Sequence, residues 1–278
     1  MTAPTPTSPH SSNMAERIIA PLRSEAEFKE IYLSLAERAC LPYTADDTVS
    51  LFYGIYKNLV ETSKFFNLTA ITECAAVAER HIVDSALPAK LLCDRGLLGD
   101  GDSLCDVGAG AGFPTLPIGA LSATGAIPKI KLHAVDSTAK KVRYIEETAK
   151  LLGIRCVSGT AGRAEELACP AAGKKKAGPF RGRFDIVTAR AVSSLPVLVE
   201  LCAPMLKLGG IFAAMKAHSD EEISAAMRGA QKLGLQHIET VEYQLPSGDA
   251  RSLVIYKKVN TTPGYFPRAY AKINAKPL

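Results

Sequence analysis

The sequence predicts an α/β fold: a seven-stranded, doubly wound sheet that ends in an antiparallel hairpin and stands behind an N-terminal helical cap. Three observations predict it. A short apolar run, Ser103-Leu104-Cys105-Asp106-Val107, opens onto Gly108, Gly110 and Gly112, which reads as a buried strand feeding a backbone-rich ligand loop. From there to Met215 the chain repeats strand, glycine or acid, helix, the signature of a parallel sheet covered on both faces. The last two extended runs, Leu235 to Leu245 and Arg251 to Val259, are joined by Pro246-Ser247-Gly248-Asp249-Ala250 with no helix between them, so they pair as a hairpin.

In chain order, Ser24 and Glu27 have capping-box spacing ahead of Phe28, Ile31, Tyr32, Leu35 and Ala39, which recur with helical period. Thr44 opens a second helix with the stripe Val49, Phe52, Tyr53, Tyr56 and Val60. A third runs from about Thr72 through His81, before Asp84-Ser85 and the apolar Leu87 to Leu92. The strands then follow as Ser103–Val107, Lys131–Val135 closed by Asp136, Ile154–Ser158, Phe184–Thr188 and Ile211–Met215. Ser137 caps the helix after the second strand and Gly153 stops it. A helix from about Ser194 to Lys207 is broken by Gly209-Gly210, and Ser219 with Glu222 starts another that ends at Gly234.

Domain organisation follows from these patterns: a disordered tail over 1–22, a helical cap over 23–95, the sheet domain over 96–260 and a basic tail over 261–278. Residues 168–183, rich in Gly, Pro, Ala and Lys, read as an inserted basic loop. The formal net charge of +5 permits an acidic partner without demanding one. Its distribution says more, since Arg251, Lys257, Lys258, Arg268, Lys272 and Lys276 face no acid between 251 and the C-terminus. Seven cysteines without a C-x-x-C spacing read as reduced thiols of a cytoplasmic protein, and scattered histidines offer no metal site. Nothing resembles a secretory signal or a membrane span.

Glycines at 108, 110 and 112 permit a left-handed backbone and the close approach of a ligand, and Pro114 suits the first turn of a helix. A dinucleotide fingerprint requires glycine at 113, where Phe113 stands, which argues against nicotinamide or flavin. The site belongs at the carboxyl ends of the first strands. With the terminal hairpin, this arrangement favours a Rossmann-like, class I S-adenosylmethionine-dependent methyltransferase.

Asn67-Leu68-Thr69, Arg80-His81-Ile82-Val83-Asp84-Ser85, Asp106 through Pro114, Asp136-Ser137 with Lys140-Lys141, Arg163-Ala164-Glu165 and Arg190-Ala191 run collinearly. They resemble the bacterial 16S ribosomal RNA guanine-N7 methyltransferase G family, also called glucose-inhibited division protein B. The ending from Gly264-Tyr265-Phe266-Pro267-Arg268 to Lys276-Pro277-Leu278 is similar to the tail of some members.

The resemblance implies that S-adenosyl-L-methionine is the cofactor, that Gly108 and Phe113 line its pocket, that Ala164 and Glu165 meet its adenine end, and that Arg190 also contacts it; the glycine loop adds Gly110 as backbone for the ligand. By position, Asp136 suits the ribose hydroxyls, and Asp106 either orients the loop or meets the methionine ammonium. Each has a plainer alternative: Phe113 as core, Asp136 and Glu165 as first-turn carboxylates, Arg190 as an ion-pair partner, His81 as a packing histidine. Arg190 and His81 are the positioning candidates, and no acid–base dyad is found.

The implied partner is 16S ribosomal RNA or a small-subunit precursor, met by a monomer with neither membrane nor metal. Guanine N7 lies in the deep, narrow groove of paired RNA, so the target should be unpaired or swung out. Arg268, Lys272 and Lys276 are expected to grip phosphates. A methyltransferase with a non-RNA substrate and a non-catalytic RNA-binding or ribosome-assembly factor stay open as rival readings.

Overall fold

The computed structural model describes residues 19–169, 177–217 and 220–278; the expected tail up to residue 18, Lys174 to Lys176 and the Ser219 cap lie outside them. Helix α1 (Glu25–Arg38) starts at its capping box, with Ser24 N donating to the Glu27 carboxylate at 2.9 Å. Helix α2 (Asp46–Ser63) begins after Thr44, with two acids in its first turn and no side-chain cap. Phe28, Tyr32, Phe52 and Tyr56 lock the two helices together, Phe28 stacking on Tyr56 at 5.3 Å between centroids.

The third helical segment extends beyond His81. Helix α3 (Cys74–Val77) passes into a π-helical turn (Ala78–Val83) and then α4 (Asp84–Asp94). A widened turn has no signature in a 3.6-residue pattern, and such turns recur at functional sites. Here it carries Arg80 and His81.

Seven strands form one sheet in the order β3-β2-β1-β4-β5-β7-β6. They are β1 (Ser103–Val107), β2 (Lys131–Asp136), β3 (Val157–Ala161), β4 (Phe184–Arg190), β5 (Leu206–Lys216), β6 (Leu235–Gln244) and β7 (Ala250–Lys258). The first five are parallel, and β7 lies antiparallel between β5 and β6. Helices α5 (Thr115–Thr124), α6 (Ala139–Leu151), α7 (Ala164–Leu167), α8 (Leu195–Cys202), α9 (Asp220–Lys232) and α10 (Tyr270–Ala275) complete the chain. The cap helices share one apolar cluster with α5 and with Leu104, Ile186 and Ala213 of the sheet, so they cover one of its faces.

Three boundaries differ from expectation, each for a local reason. Strand β3 starts at Val157 because Ile154 closes helix α6 instead: its N–H reaches the Ala149 carbonyl at 2.8 Å beyond the left-handed Gly153, a Schellman ending. Ser137 is not the cap of α6; the Asp136 carboxylate takes the Thr138 N–H at 2.8 Å. Gly209-Gly210 lie within β5 beside a register shift, where a Cβ on Gly210 would come 2.8 Å from the Asp185 carbonyl oxygen.

Phe180 and Arg181, in the described part of the expected loop, pack against the protein, as does much of the tail. Phe180 is buried, and Arg181 donates to the carbonyls of Thr262, Pro263 and Phe266. Arg268 does not stand free for phosphate, because its guanidinium forks onto the buried Glu200. Lys272 and Lys276 remain exposed. Lys258 is buried, donating to the Leu233 carbonyl at 2.6 Å and to Thr262 Oγ1.

Burial, and then the charge of Arg181, pulls the Lys258 ammonium down to about 7. The unfolded lysine keeps its proton to about 10.4, so the unfolded chain binds more protons between those values and stability rises with pH across that window. Chemical denaturation from pH 7 to 9.5 should show wild type gaining up to about 1.4 kcal/mol per pH unit over Lys258→Met. Parallel curves would contradict this assignment.

Candidate active site

At the carboxyl ends of β1, β2 and β4 the sheet opens into a cavity of about 480 Å³, the size of an ordinary small-molecule site. This is the switch point of the strand order, where connections leave in opposite directions. The loop after β1 forms its floor. Gly108 N and Ala109 N both donate to the Val135 carbonyl, at 2.8 and 3.0 Å, tying the loop to β2. Gly108 has φ +76°, and a Cβ there would strike the Val192 side chain, so only glycine leaves this floor open.

Asp136 ends β2 at the cavity and is 9% exposed. One carboxylate oxygen accepts from Gly110 N at 3.0 Å and the other from Thr138 N at 2.8 Å. Each oxygen keeps a second lone pair, so the group can still accept two hydroxyls.

Asp106, expected either to orient the loop or to meet the methionine ammonium, does not line the cavity. It is 1% exposed beneath the loop, accepting from Thr115 Oγ1 at 2.6 Å and from Thr188 Oγ1 at 3.4 Å. Burial pushes its carboxyl up to about 6 against the pull of the Thr115 hydroxyl. Its two hydrogen bonds tie the start of α5 and β4 to β1 under the loop.

Phe113 is both core and cavity wall. The His81 ring stacks on it at 4.4 Å between centroids and 15° between planes, and the Arg190 guanidinium lies 5.8 Å from its centre. His81 lines the cavity with both nitrogens engaged, Nε2 by Thr69 Oγ1 and Nδ1 by the Arg80 carbonyl, each at 3.2 Å. The carbonyl can only accept, so Nδ1 carries the hydrogen and Nε2 receives the threonine hydroxyl. Burial, and then the Arg190 charge, lowers His81 to about 3, so it is neutral at physiological pH.

Arg190 lies in the wall and is also an ion-pair partner. It donates to Asp84 Oδ2 at 3.2 Å and to the Arg80 carbonyl at 3.3 Å, while Arg251 reaches Asp84 Oδ1 at 3.1 Å. Ala164 and Glu165 open α7 at the far side of the cavity, Glu165 holding Arg163 Nε at 2.5 Å.

Sequence reasoning missed the Asp84 hinge between Arg190 and Arg251, and it missed Tyr270, which joins the wall from α10. Asp84 stands in the Arg80–Ser85 motif, but nothing there announces its distant arginines, and no local pattern marks Tyr270. Ala191, which follows β4 into the cavity, has φ +55°, a strained value for a residue with a Cβ. Among the described residues no cluster of three or more His, Cys, Asp or Glu side chains is placed to hold a metal ion, and no helix is long and apolar enough to cross a membrane.

Comparison with known proteins supplies the family. Residues 49–253 match the family described as rRNA small subunit methyltransferase G. The ribosomal RNA small subunit methyltransferase G of Lactobacillus delbrueckii subsp. bulgaricus is 40% identical over 229 residues, covering 82% of this chain and 90% of that protein. That of Ligilactobacillus salivarius is 41% identical over 225 residues, covering 80% and 88%. That of Streptococcus pyogenes serotype M1 is 40% identical over 228 residues, covering 82% and 90%. A match that runs from α2 to the last strand, around a glycine-floored cavity at the sheet's switch point, makes this chain a member of the rRNA small subunit methyltransferase G family.

Proposed function

We propose that this protein transfers a methyl group from S-adenosyl-L-methionine to N7 of a guanine in 16S ribosomal RNA. One observation carries the reading: in a chain of this family, the cavity joins a glycine loop at its floor to a carboxylate with spare acceptor capacity at the end of β2. That combination fits an adenosyl ligand. Gly108 and Gly110 give it backbone to lie on, Asp136 can accept from the ribose hydroxyls, and Ala164 with Glu165 borders the adenine.

S-adenosylmethionine, when bound, supplies an electrophilic methyl group to a nitrogen that has a lone pair and no proton to lose. The residues are therefore asked to position rather than to take up a proton. Arg190, fixed by Asp84 and laid over Phe113, offers directed N–H groups at the cavity mouth. Neutral His81, fixed by Thr69, stiffens the Phe113 wall. Holding two reactants in line supplies roughly 7–11 kcal/mol in well-oriented systems, enough to make positioning the main device.

In the same reading the chain is a cytoplasmic monomer that meets an unpaired or swung-out guanine of the RNA or of a subunit precursor. Among the described residues, exposed Lys272 and Lys276, with Lys141 at the cavity, are cations available for phosphate. The test uses methyl-labelled S-adenosylmethionine with 16S and 23S ribosomal RNA from a strain lacking N7 methylation. Label should enter 16S RNA and fall steeply as salt rises. Equal labelling of both RNAs, or none in either RNA or a subunit particle, would refute the proposal.

A further inference from the structure

The chain beyond β7 is fastened to the sheet domain along its length. Arg181 donates to three of its carbonyls, at 2.6 Å to Phe266, 2.9 Å to Thr262 and 3.2 Å to Pro263. Phe266 and Ile273 are buried in the apolar cluster on the α8 face of the sheet. Arg268 grips the fully buried Glu200, with Nε to Oε1 at 2.8 Å and Nη2 to Oε2 at 2.5 Å, and also reaches the Lys276 carbonyl at 3.1 Å. Leu278 packs over Gly229, where a Cβ would come 2.8 Å from the leucine's own. A segment anchored at so many points presents its side chains in fixed places.

One of those side chains belongs to the cavity. Tyr270, the first residue of α10, lines it together with Gly162, Arg163, Ala164 and Glu165. The Arg163 guanidinium lies over the Tyr270 ring, 4.6 Å from its centre, and the same guanidinium is held by Glu165 at 2.5 Å. Carboxylate, guanidinium and ring thus form a continuous stack from the start of α7 to the C-terminal segment. The cation fixes one face of the phenol, and the carboxylate fixes the cation.

We propose that Tyr270 is a cofactor-positioning residue, its ring closing the adenine end of the pocket, so that the C-terminal segment is part of the cofactor site. The inference rests on the reading of Ala164 and Glu165 as the border of the adenine. A flat, apolar purine is matched by an immobilised aromatic wall, whereas an exposed basic tail would be matched by phosphate. Phe266, Ile273 and Arg268 are spent inside the protein, which leaves Tyr270 as the segment's contribution to the cavity. The family match ends at residue 253, ahead of this residue.

The test is calorimetric titration of the full-length protein with S-adenosylhomocysteine, with thermal unfolding recorded alongside. Tyr270→Ala should bind it about tenfold more weakly, the usual scale of one base-on-ring contact. Tyr265→Ala, which alters an exposed tyrosine of the same segment, should bind within about twofold of wild type, the spread left by an aromatic that touches no ligand. Wild-type affinity in Tyr270→Ala would overturn this inference and leave the proposed function standing. Failure of the wild type to bind would overturn both. Should Tyr270→Ala unfold, Tyr270→Leu keeps apolar packing, and unchanged affinity in it would equally overturn the inference.

Discussion

Gly108→Asp is expected to leave a folded protein whose affinity for S-adenosylmethionine falls by more than about 100-fold, a loss of about 2.8 kcal/mol. Two features of the position make the effect large. The backbone there has φ +76°, and any Cβ is aimed at Val192, on the cavity wall. A side chain at 108 therefore either fills the floor or displaces the loop after β4. Aspartate tolerates the left-handed region better than most residues, and the strain there is about 1–2 kcal/mol. The fold should survive with a melting temperature a few degrees lower, at about 2–4 °C per kcal/mol for chains of this class. Calorimetry paired with thermal unfolding separates the outcomes. Retained affinity would mean that the cofactor does not lie on this loop.

Asp84→Ala should damage both fold and activity. The carboxylate is buried and bridges Arg190 and Arg251, whose side chains are only 15% and 20% exposed. Without it two cations face each other with little water. Breaking a buried pair in this way typically costs about 3–5 kcal/mol, or on the order of 10 °C in melting temperature. Arg190 would also lose the contact that fixes it beside Phe113, so methyl transfer per folded molecule should fall at least about tenfold, or 1.4 kcal/mol of lost positioning. Asp84→Asn, which keeps an acceptor but not the charge, should fall between the two. Thermal unfolding and single-turnover methylation read the two effects separately, and an unchanged melting temperature would remove Asp84 from the account.

These residues also explain how far the sequence alone was readable. Elements specified by neighbours in the chain were legible: the Ser24 capping box, the strand into Gly108, and the hairpin after Leu235. What depends on distant partners was not. Arg251 and Arg268 look like unspent charge, yet their hydrogen-bonded acids, Asp84 and Glu200, lie 167 and 68 residues away, and only the weaker Asp249 contact of Arg251 is local. Tyr270 reaches the cavity only because buried contacts fold the tail back, and no periodicity announces it. Errors in the regular elements have the same root. Ile154 is apolar enough for a strand and is used to close a helix, while Gly209-Gly210 look like a helix stop and instead admit a close backbone approach inside β5.

At the site, Gly108, Gly110, Phe113, Asp136, Ala164, Glu165, Arg190 and His81 line one cavity; most of them were singled out by the family resemblance and not by spacing alone. Asp106 does not, because an acid inside β1 points beneath the loop and is satisfied by Thr115 and Thr188. Strand alternation decides that outcome, and a motif read as a string of letters conceals it.

The central claim is that this cavity presents a methyl donor to guanine N7. The most direct test maps N7-methylguanine in 16S ribosomal RNA by chemical strand scission, after incubation of unmethylated RNA or subunit particles with the protein and S-adenosylmethionine. The account predicts a single new cleavage that requires both the cofactor and an intact Gly108. Methylation elsewhere on the base, or no cleavage despite demonstrated cofactor binding, would contradict it.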